Sequence, residues 1–468
     1  MGKPKERRIL YENIDAPDMH TLDVYRRHGG YASLEKLFDL NAEQLLDIVR
    51  DSGLRGRGGA GVSAGFKWNL MGQGEPKYLI ANADESEPGT FSNRYILQHK
   101  PHMLIEGMII AAWSLGVHKA YVYVRGEFTL GKKRLDAAIQ EAYEAGILGE
   151  SVAGHDFALD IYTHAGAGAY ICGEETGLIE SLEGKRGQPR VKPPFFPAAI
   201  GVFMQPTMVH NVETLSNLPY IINNGTEWYQ SLGAVYKDTP RGVDPMNTGT
   251  KLYCVSGHVE KPGVYEVEMG LTVRELVELA GGVRGGNEVK AVIPGGSSAP
   301  VLTPYELDVP VDFTCLQMAK TMLGSGGIIV MDETTCTVRA LENLMDFYAH
   351  ESCGQCTPCR VGTPWTRDIV ARIEAGKGRP GDVDHLIEVA NNVANIDTFT
   401  WNTICVFGIA VSWPAVSFAR KFRPEFEAHI EQGKCVTLPV SEAVAPPEEN
   451  YAWPQELPEV ERKPTWDY

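Results

Sequence analysis

Apolar positions along the chain recur with two different periods, and the change of period divides it into regions. Between residues 21 and 51 they fall at helical spacing: Leu34, Leu37 and Phe38, then Leu45, Leu46, Ile48 and Val49, until Gly53 breaks the pattern. A glycine-rich stretch follows, Gly53-Leu54-Arg55-Gly56-Arg57-Gly58-Gly59-Ala60-Gly61. Tyr78-Leu79-Ile80 is an apolar run of buried-strand type that leads into Asn82-Ala83-Asp84-Glu85-Ser86-Glu87-Pro88-Gly89. The pattern then predicts a helix over 102–115, a strand over 120–125, a helix over 130–144 and a strand over 157–163. Strands alternating with helices of this length predict an α/β fold with a parallel, doubly wound sheet up to about residue 240. Loops at the strand ends of such a sheet are where a ligand is expected.

The period shortens between residues 250 and 330. Short strands over 251–256, 263–266 and 291–293 surround a single helix over 273–280, the pattern of a small β-grasp domain. From residue 335 the spacing is helical through 426, broken by one cysteine-rich segment. The expected domains are therefore 1–249, a Rossmann-like unit with a helical N-terminus; 250–333, β-grasp; 334–435, a helical bundle; and 436–468. In the last of these, prolines at 439, 446, 447, 454, 458 and 464 predict an extended tail, partner-bound or disordered.

Charge narrows the choice of partners. Lys plus Arg number 43 against 60 for Asp plus Glu, a net charge of −17 over 468 residues. Such a surface repels phosphate backbones and anionic lipid, so no nucleic-acid partner is expected. The longest apolar runs, 108–117 and 404–410, fall short of the ~20 residues a spanning helix needs. The basic start is not followed by an apolar core, so no secretory signal is expected.

Nine cysteines are present, and most are scattered singly, as buried reduced thiols are. Three are not. Ser352-Cys353-Gly354-Gln355-Cys356-Thr357-Pro358-Cys359-Arg360 has the C-x-x-C-x-x-C spacing that presents three thiolates to one face of an iron–sulfur cubane. Structural zinc ordinarily takes two separated pairs, so a [4Fe–4S] cluster is the better reading. The fourth ligand chosen is Cys405, in the apolar segment Trp401-Asn402-Thr403-Ile404-Cys405, far enough on for a helix out and a helix back. Cys435, among Glu431, Gln432, Gly433 and Lys434, is a poor cluster ligand. Cys172, Cys254, Cys315 and Cys336 read as core thiols.

Gly56-x-Gly58-x-x-Gly61 matches a dinucleotide fingerprint but follows a helix instead of a strand, so an ordinary Rossmann turn is not expected. The run reads either as a flexible loop or as bare backbone that a phosphate or flat ring approaches. Gly166-Ala167-Gly168-Ala169-Tyr170-Ile171-Cys172-Gly173-Glu174-Glu175-Thr176 places small residues before a helix start. Its two carboxylates suit a helix dipole or sugar hydroxyls. Lys192 and Phe195 lie in a cationic, proline-rich loop, and Asn211 precedes Val212-Glu213-Thr214 as a helix cap. Together these loops favour a nucleotide or flavin site.

Taken in order over roughly residues 20–430, the segments 53–61, 82–89, 166–175, 180–190, 211–215, 256–266 and 351–360 resemble the flavoprotein subunit of respiratory NADH:quinone oxidoreductase, complex I. Most specific are Asn82-Ala-Asp-Glu-Ser-Glu-Pro-Gly89 and Ile171-Cys-Gly-Glu-Glu-Thr176. The resemblance implies an NADH dehydrogenase with a soluble-ligand-binding type of β-grasp domain. FMN would lie among Gly56, Arg57, Lys67, Asn82, Asp84, Tyr170, Gly173, Glu174, Asn211 and Thr214, with Glu85 in the same acidic loop. NAD(H) would meet Gly58, Gly59, Ala60, Gly61, Glu87, Glu175, Lys192 and Phe195, and Cys353, Cys356, Cys359 and Cys405 would hold the cluster. Implied partners are a thioredoxin-like [2Fe–2S] subunit and a large multi-cluster iron–sulfur subunit, with a membrane arm reached indirectly. The protein would then be cytoplasmic, peripheral on the inner face of the plasma membrane.

The chain departs from the family pattern at Val62, where an aromatic that packs on NADH is usual, and at Leu70, where Phe is common. His210 stands for a frequent Asn, and Phe196 looks inserted. Two rivals share the motifs. One is the diaphorase subunit of an NAD-linked hydrogenase or formate dehydrogenase. The other is a non-catalytic electron-wire or scaffold subunit with impaired NADH binding.

Overall fold

A computed structural model describes residues 5–445 and 457–464. Its first sheet has four parallel strands, β1 (Tyr78–Ala83), β2 (Lys119–Val124), β3 (Asp160–Ala165) and β4 (Thr207–Asn211), in the order β3-β2-β1-β4. β1 is almost wholly buried, as a parallel strand covered on both faces must be. Against it lies the Pro101–Leu115 helix, opened by Pro101 in its first turn, closed by Gly116 in the left-handed region, and buried on nearly every side. The chain runs from β1 outward to β2 and β3, then returns across the sheet to β4. The point where the order reverses therefore lies between β1 and β4, and a ligand crevice is expected at their carboxyl ends. β4 escapes the sequence pattern because Thr207-Met208-Val209 is short and merges into polar His210 and Asn211.

A small sheet of β5 (Gly233–Tyr236) and β6 (Met246–Thr248) leads into a second four-stranded sheet. That sheet comprises β7 (Thr250–Gly257), β8 (Gly263–Glu268), β9 (Val289–Ile293) and β10 (Gly327–Asp332), ordered β8-β7-β10-β9. β7 pairs parallel with β10, and the outer pairings are antiparallel. The Val273–Leu279 helix crosses it, started by a capping box in which Thr272 Oγ1 accepts from the Glu275 N–H at 3.1 Å.

The third region packs the helices Thr337–Glu351, Thr357–Glu374, Asp382–Val393, Phe407–Lys421 and Arg423–Gln432, with a two-residue hairpin of β11 (Ala394–Asn395) and β12 (Thr400–Trp401). The tail departs from expectation at both described ends. Residues 436–445 stay on the bundle, because Val440, Val444 and Ala445 bury apolar surface there. β13 (Val460–Arg462) adds an edge to β5. The tail prolines at 446, 447 and 454 lie outside the described residues. Among the described residues no helix is long and apolar enough to cross a membrane.

Candidate flavin and iron–sulfur site

Register alone builds the floor of the crevice. Asn82, near the end of β1, sits directly beside Asn211, the last residue of β4. The Asn211 carboxamide accepts the Glu213 N–H at 2.9 Å and caps the Val212–Asn224 helix, whose N-terminus points into the crevice. Asn82 Nδ2 donates to the Gly173 carbonyl at 2.9 Å, and its oxygen accepts the Asp84 N–H at 3.0 Å. These bonds bring the acidic loop, the 170–175 segment and the helix start together.

The glycine loop forms one wall. The Arg57 N–H donates to Thr214 Oγ1 at 2.8 Å, and the Gly56 N–H to the Val62 carbonyl at 2.8 Å. A Cβ on Gly58 would stand 2.8 Å from Asn211 Cβ, so the loop and the helix cap meet only because the side chain is missing. Gly61 has φ +64°, and a Cβ there would strike the Phe313 ring at 2.5 Å. Gly58 and Ala60 present exposed backbone, and Gly59 lies half-exposed between them.

Four charged side chains line the other wall. Lys67 Nζ reaches Glu175 Oε2 at 3.0 Å and the Val209 carbonyl at 2.8 Å. Lys192 Nζ spans Glu174 at 2.8 Å and Glu175 at 2.9 Å. Glu174 also accepts the N–H groups of Thr176 and Gly177 at the start of the Glu175–Leu182 helix. Burial alone would raise the Glu175 carboxyl, but the two lysines outweigh it and hold it down at about 2. Phe195 is half-buried nearby in sequence, and Phe196 is exposed.

Asp84 behaves differently. Burial pushes it up to about 7, against the Ser86 hydroxyl and the Arg125 guanidinium, and its Oδ1 has no hydrogen-bond partner. An orphaned buried carboxylate oxygen beside Gly173 is what a polyhydroxylated ligand would satisfy.

Two side chains expected at the cofactor are engaged elsewhere. Arg57 is almost fully buried, and its guanidinium donates to Tyr229 OH at 3.0 Å and the Thr248 carbonyl at 2.7 Å, so it offers the crevice only main chain. Glu85 accepts the Asn93 N–H at 2.7 Å and the Arg94 N–H at 3.1 Å, capping the Asn93–His99 helix. Acidic residues in one short run look alike in sequence. Only the neighbouring helix start distinguishes them.

Glu87 joins the three regions. It accepts from Tyr170 OH at 2.6 Å and from the Ser298 N–H at 2.7 Å, while Ser297 reaches Tyr348 OH at 2.6 Å. Tyr170 in turn stands between the crevice and the cysteines. Its N–H donates to Glu351 at 3.0 Å, just before Ser352 and Cys353, and its ring lies 5.8 Å from that of Phe407, just after Cys405. Ser352 Oγ is 3.2 Å from Cys359 Sγ, and Gln188 Nε2 donates to the Cys353 carbonyl at 3.3 Å. Burial raises the Cys359 and Cys405 thiols to about 12. Cys359 lies in the apolar core, with Cys353, Cys356 and Cys405 packed against it. The Cys359 thiol feels Cys356 and Cys353, and the Cys405 thiol feels Cys353 and Cys359, so the four form one neighbouring set. Four soft ligands gathered in an apolar surrounding fit a cubane that would hold them as thiolates.

Three family models match: the Nuo51 FMN-binding domain over residues 49–220, the SLBB domain over 251–330, and the NADH-ubiquinone oxidoreductase-F iron–sulfur binding region over 339–429. An F-type NADH-quinone oxidoreductase subunit of Rhizobium meliloti, numbered 2 in that organism, is 46% identical over 91% of this chain and 98% of its own length. Its counterpart in Streptomyces coelicolor is likewise 46% identical, covering 91% and 92%. The chain belongs to the family of NADH-quinone oxidoreductase F subunits. FMN, expected from the resemblance, and a [4Fe–4S] cluster, expected from the cysteine spacing, are the cofactors of its family models. Among solved structures, a chain of an NAD+-reducing [NiFe]-hydrogenase in the air-oxidized state superposes with TM-score 0.76 at 33% identity, over 92% of this chain and 68% of that one.

The positions where the resemblance leads one to expect other residues near the nucleotide are exposed. Val62, Phe66 and Leu70 are each about half exposed, and the Phe66 ring is left in solvent. His210, where the resemblance leads one to expect Asn, is buried, with its Nε2 accepting from Trp68 Nε1 at 2.8 Å.

Proposed function

We propose that this subunit oxidises NADH through FMN and passes the electrons singly to its [4Fe–4S] cluster, then through partner subunits toward quinone. The observation that carries the reading is the placement of Tyr170–Gly173 between the Asp84 crevice and the cysteine set. One short segment touches both, so a flavin and a cluster held there are close neighbours. Bound FMN supplies the conversion from two-electron to one-electron chemistry, and the cluster supplies the one-electron acceptor.

The chain's residues position and screen. Asn82, Asp84, Gly173 and the Val212–Asn224 helix start offer hydrogen bonds to ribityl and phosphate groups. The bare backbone of Gly58, Gly59, Ala60 and Gly61 lets a flat ring approach, while Glu87, Glu175, Lys192 and Phe195 orient the pyridine nucleotide. Lys67 and Lys192 keep Glu175 ionised, so its charge is fixed throughout the cycle. No side chain is required as nucleophile or general base.

The partners that fit are a thioredoxin-like [2Fe–2S] subunit and a large multi-cluster subunit, which tie this cytoplasmic chain peripherally to a membrane arm. A diaphorase role in a soluble hydrogenase is the second reading, favoured by the hydrogenase neighbour. The higher identity to the NADH-quinone oxidoreductase subunits, over nearly their whole length, supports the first. Isolation of the native assembly under mild detergent tests the choice. A co-purifying quinone-reducing membrane arm is expected; a nickel-containing or formate-oxidising partner in its place overturns the complex I assignment.

A further inference from the structure

Far from the cysteine loop, four metal-type ligands converge from separate segments of the helical region. Cys336 opens the Thr337–Glu351 helix, Glu374 closes the Thr357–Glu374 helix, His429 lies on the Arg423–Gln432 helix, and Cys435 follows its left-handed cap at Gly433. Cys336 Sγ lies 3.3 Å from His429 Nε2 and 3.6 Å from Glu374 Oε2, and those last two atoms are 3.2 Å apart. With Cys435 Sγ included, all four ligand atoms fall within 4.8 Å of one another. Zinc bonds of about 2.3 Å to sulfur and 2.0–2.1 Å to nitrogen or oxygen, set tetrahedrally, give edges of about 3.6 Å and 3.4 Å. The observed separations match those edges.

Hydrogen bonding points the same way. His429 Nδ1 lies 2.7 Å from the Glu425 carbonyl oxygen, which only accepts, so Nδ1 carries the ring proton. Nε2 then presents a lone pair, and the Val436 N–H is directed at it from 3.2 Å. Yet Glu374 Oε2, another acceptor, faces the same nitrogen. A cation held among these acceptors, in place of the Cys336 thiol proton directed at Glu374 Oε2, would satisfy them together. Anchoring the far ring nitrogen on a carbonyl is also how metal-binding histidines are held. The Arg339 N–H donates to Cys336 Sγ at 3.4 Å, and the Arg339 guanidinium lies 3.8 Å from Glu374 Oε1. Three of the ligands are buried, and exposed Cys435 provides the way in.

We infer that Cys336, Glu374, His429 and Cys435 form a closed, four-coordinate structural zinc site. Ion binding would loosen the long Val436 contact and draw Cys435 inward. The Thr337–Glu351 and Thr357–Glu374 helices, of 15 and 18 residues, carry the cluster cysteines at their other ends, about 20–27 Å away. Zinc has no redox chemistry, so the site is a staple and not a relay. It fixes the chain where it leaves the bundle, reinforcing a contact in which Gly376 leaves no room for a Cβ against the Gly433 carbonyl.

Metal analysis and zinc K-edge absorption on full-length protein, purified with flavin and cluster from zinc-replete cells, test this. One zinc per chain is expected, with two sulfurs near 2.3 Å and two lighter ligands near 2.0 Å. Cys435→Ser, at an exposed position that should not disturb folding, is expected to bind zinc at least tenfold more weakly and keep its iron. Cys356→Ser should lose iron and keep zinc, which separates this site from zinc misplaced in the cluster loop. Protein with full iron that holds no zinc, even after incubation with micromolar zinc and gel filtration, overturns the inference. So does zinc that departs with Cys356→Ser, or a Cys336–Cys435 disulfide in the peptide map.

Discussion

Asp84 Oδ1 is shut from water without a partner, and such an atom persists in a fold where a ligand donates to it. A hydrogen bond to a charged group is worth about 1.5–3 kcal/mol, so Asp84→Ala should weaken FMN binding roughly ten- to hundredfold. The empty protein should be no less stable, since an unsatisfied buried group is removed. Flavin fluorescence titration reads the first effect, and unchanged affinity would take Asp84 out of the flavin bed. Val62 makes the opposite case, an exposed site where something is missing. Stacking adds about 0.5–1.5 kcal/mol beyond area burial. Val62→Phe should therefore lower the KM for NADH several-fold with kcat little changed, because ground-state stacking is largely uniform binding. At this scale the sequence was informative about which loops matter and less so about which side chains. The acidic run 84–87 contains a crevice-facing carboxylate, a helix cap and a three-way junction, and only the packing around each tells them apart.

At the scale of elements, the Glu175–Leu182 helix start is held by charge. Glu175 sits near 2 in the fold against an ordinary 4.5, so its stabilisation is fully present above about pH 4.5 and is lost as pH falls toward 2. The stability difference between wild type and Glu175→Gln should shrink by about 1 kcal/mol between pH 6 and pH 4 in urea unfolding. A constant difference would mean the lysines do not control this carboxyl. The cysteine segment offers a second test. Cys405→Ala should abolish iron and acid-labile sulfide, and Cys435→Ala should leave both intact. Normal iron in Cys405→Ala would remove it from the ligand set. The tandem cysteines could be read in sequence because one tight loop carries their geometry. Cys336 and Cys435 could not, because their meeting depends on three helices and a cap far apart along the chain. The parallel sheet was legible from strand–helix alternation, while β4 and the β5–β6–β13 sheet were too short or too polar to stand out; β10, an apolar six-residue run, carries the strand signal in its sequence and was passed over between the β-grasp helix and the bundle.

Across the whole molecule, buried ion pairs bind the regions to one another. Lys251 on β7 meets Glu213 near the start of the Val212–Asn224 helix at 2.6 Å, Lys290 on β9 meets Glu425 of the bundle at 2.8 Å, and Lys421 of the bundle meets Glu306 at 2.6 Å. Removing one partner strands a buried charge, so Lys251→Met should cost about 3–5 kcal/mol in chemical unfolding. A loss below ~1 kcal/mol would show that the pair is not what couples the sheets. These cross-connections tie the three expected units to one another, and Tyr170 links the candidate flavin crevice to the cysteine set. The central claim is that electrons cross that boundary. Anaerobic stopped-flow mixing of the cluster-loaded protein with NADH, followed by freeze-quench paramagnetic resonance, tests it most directly. Flavin bleaching is expected within the first turnover and a reduced [4Fe–4S] signal after it, the signal absent in Cys405→Ala while bleaching persists. An unbleached flavin at millimolar NADH would contradict it and leave this chain a scaffold.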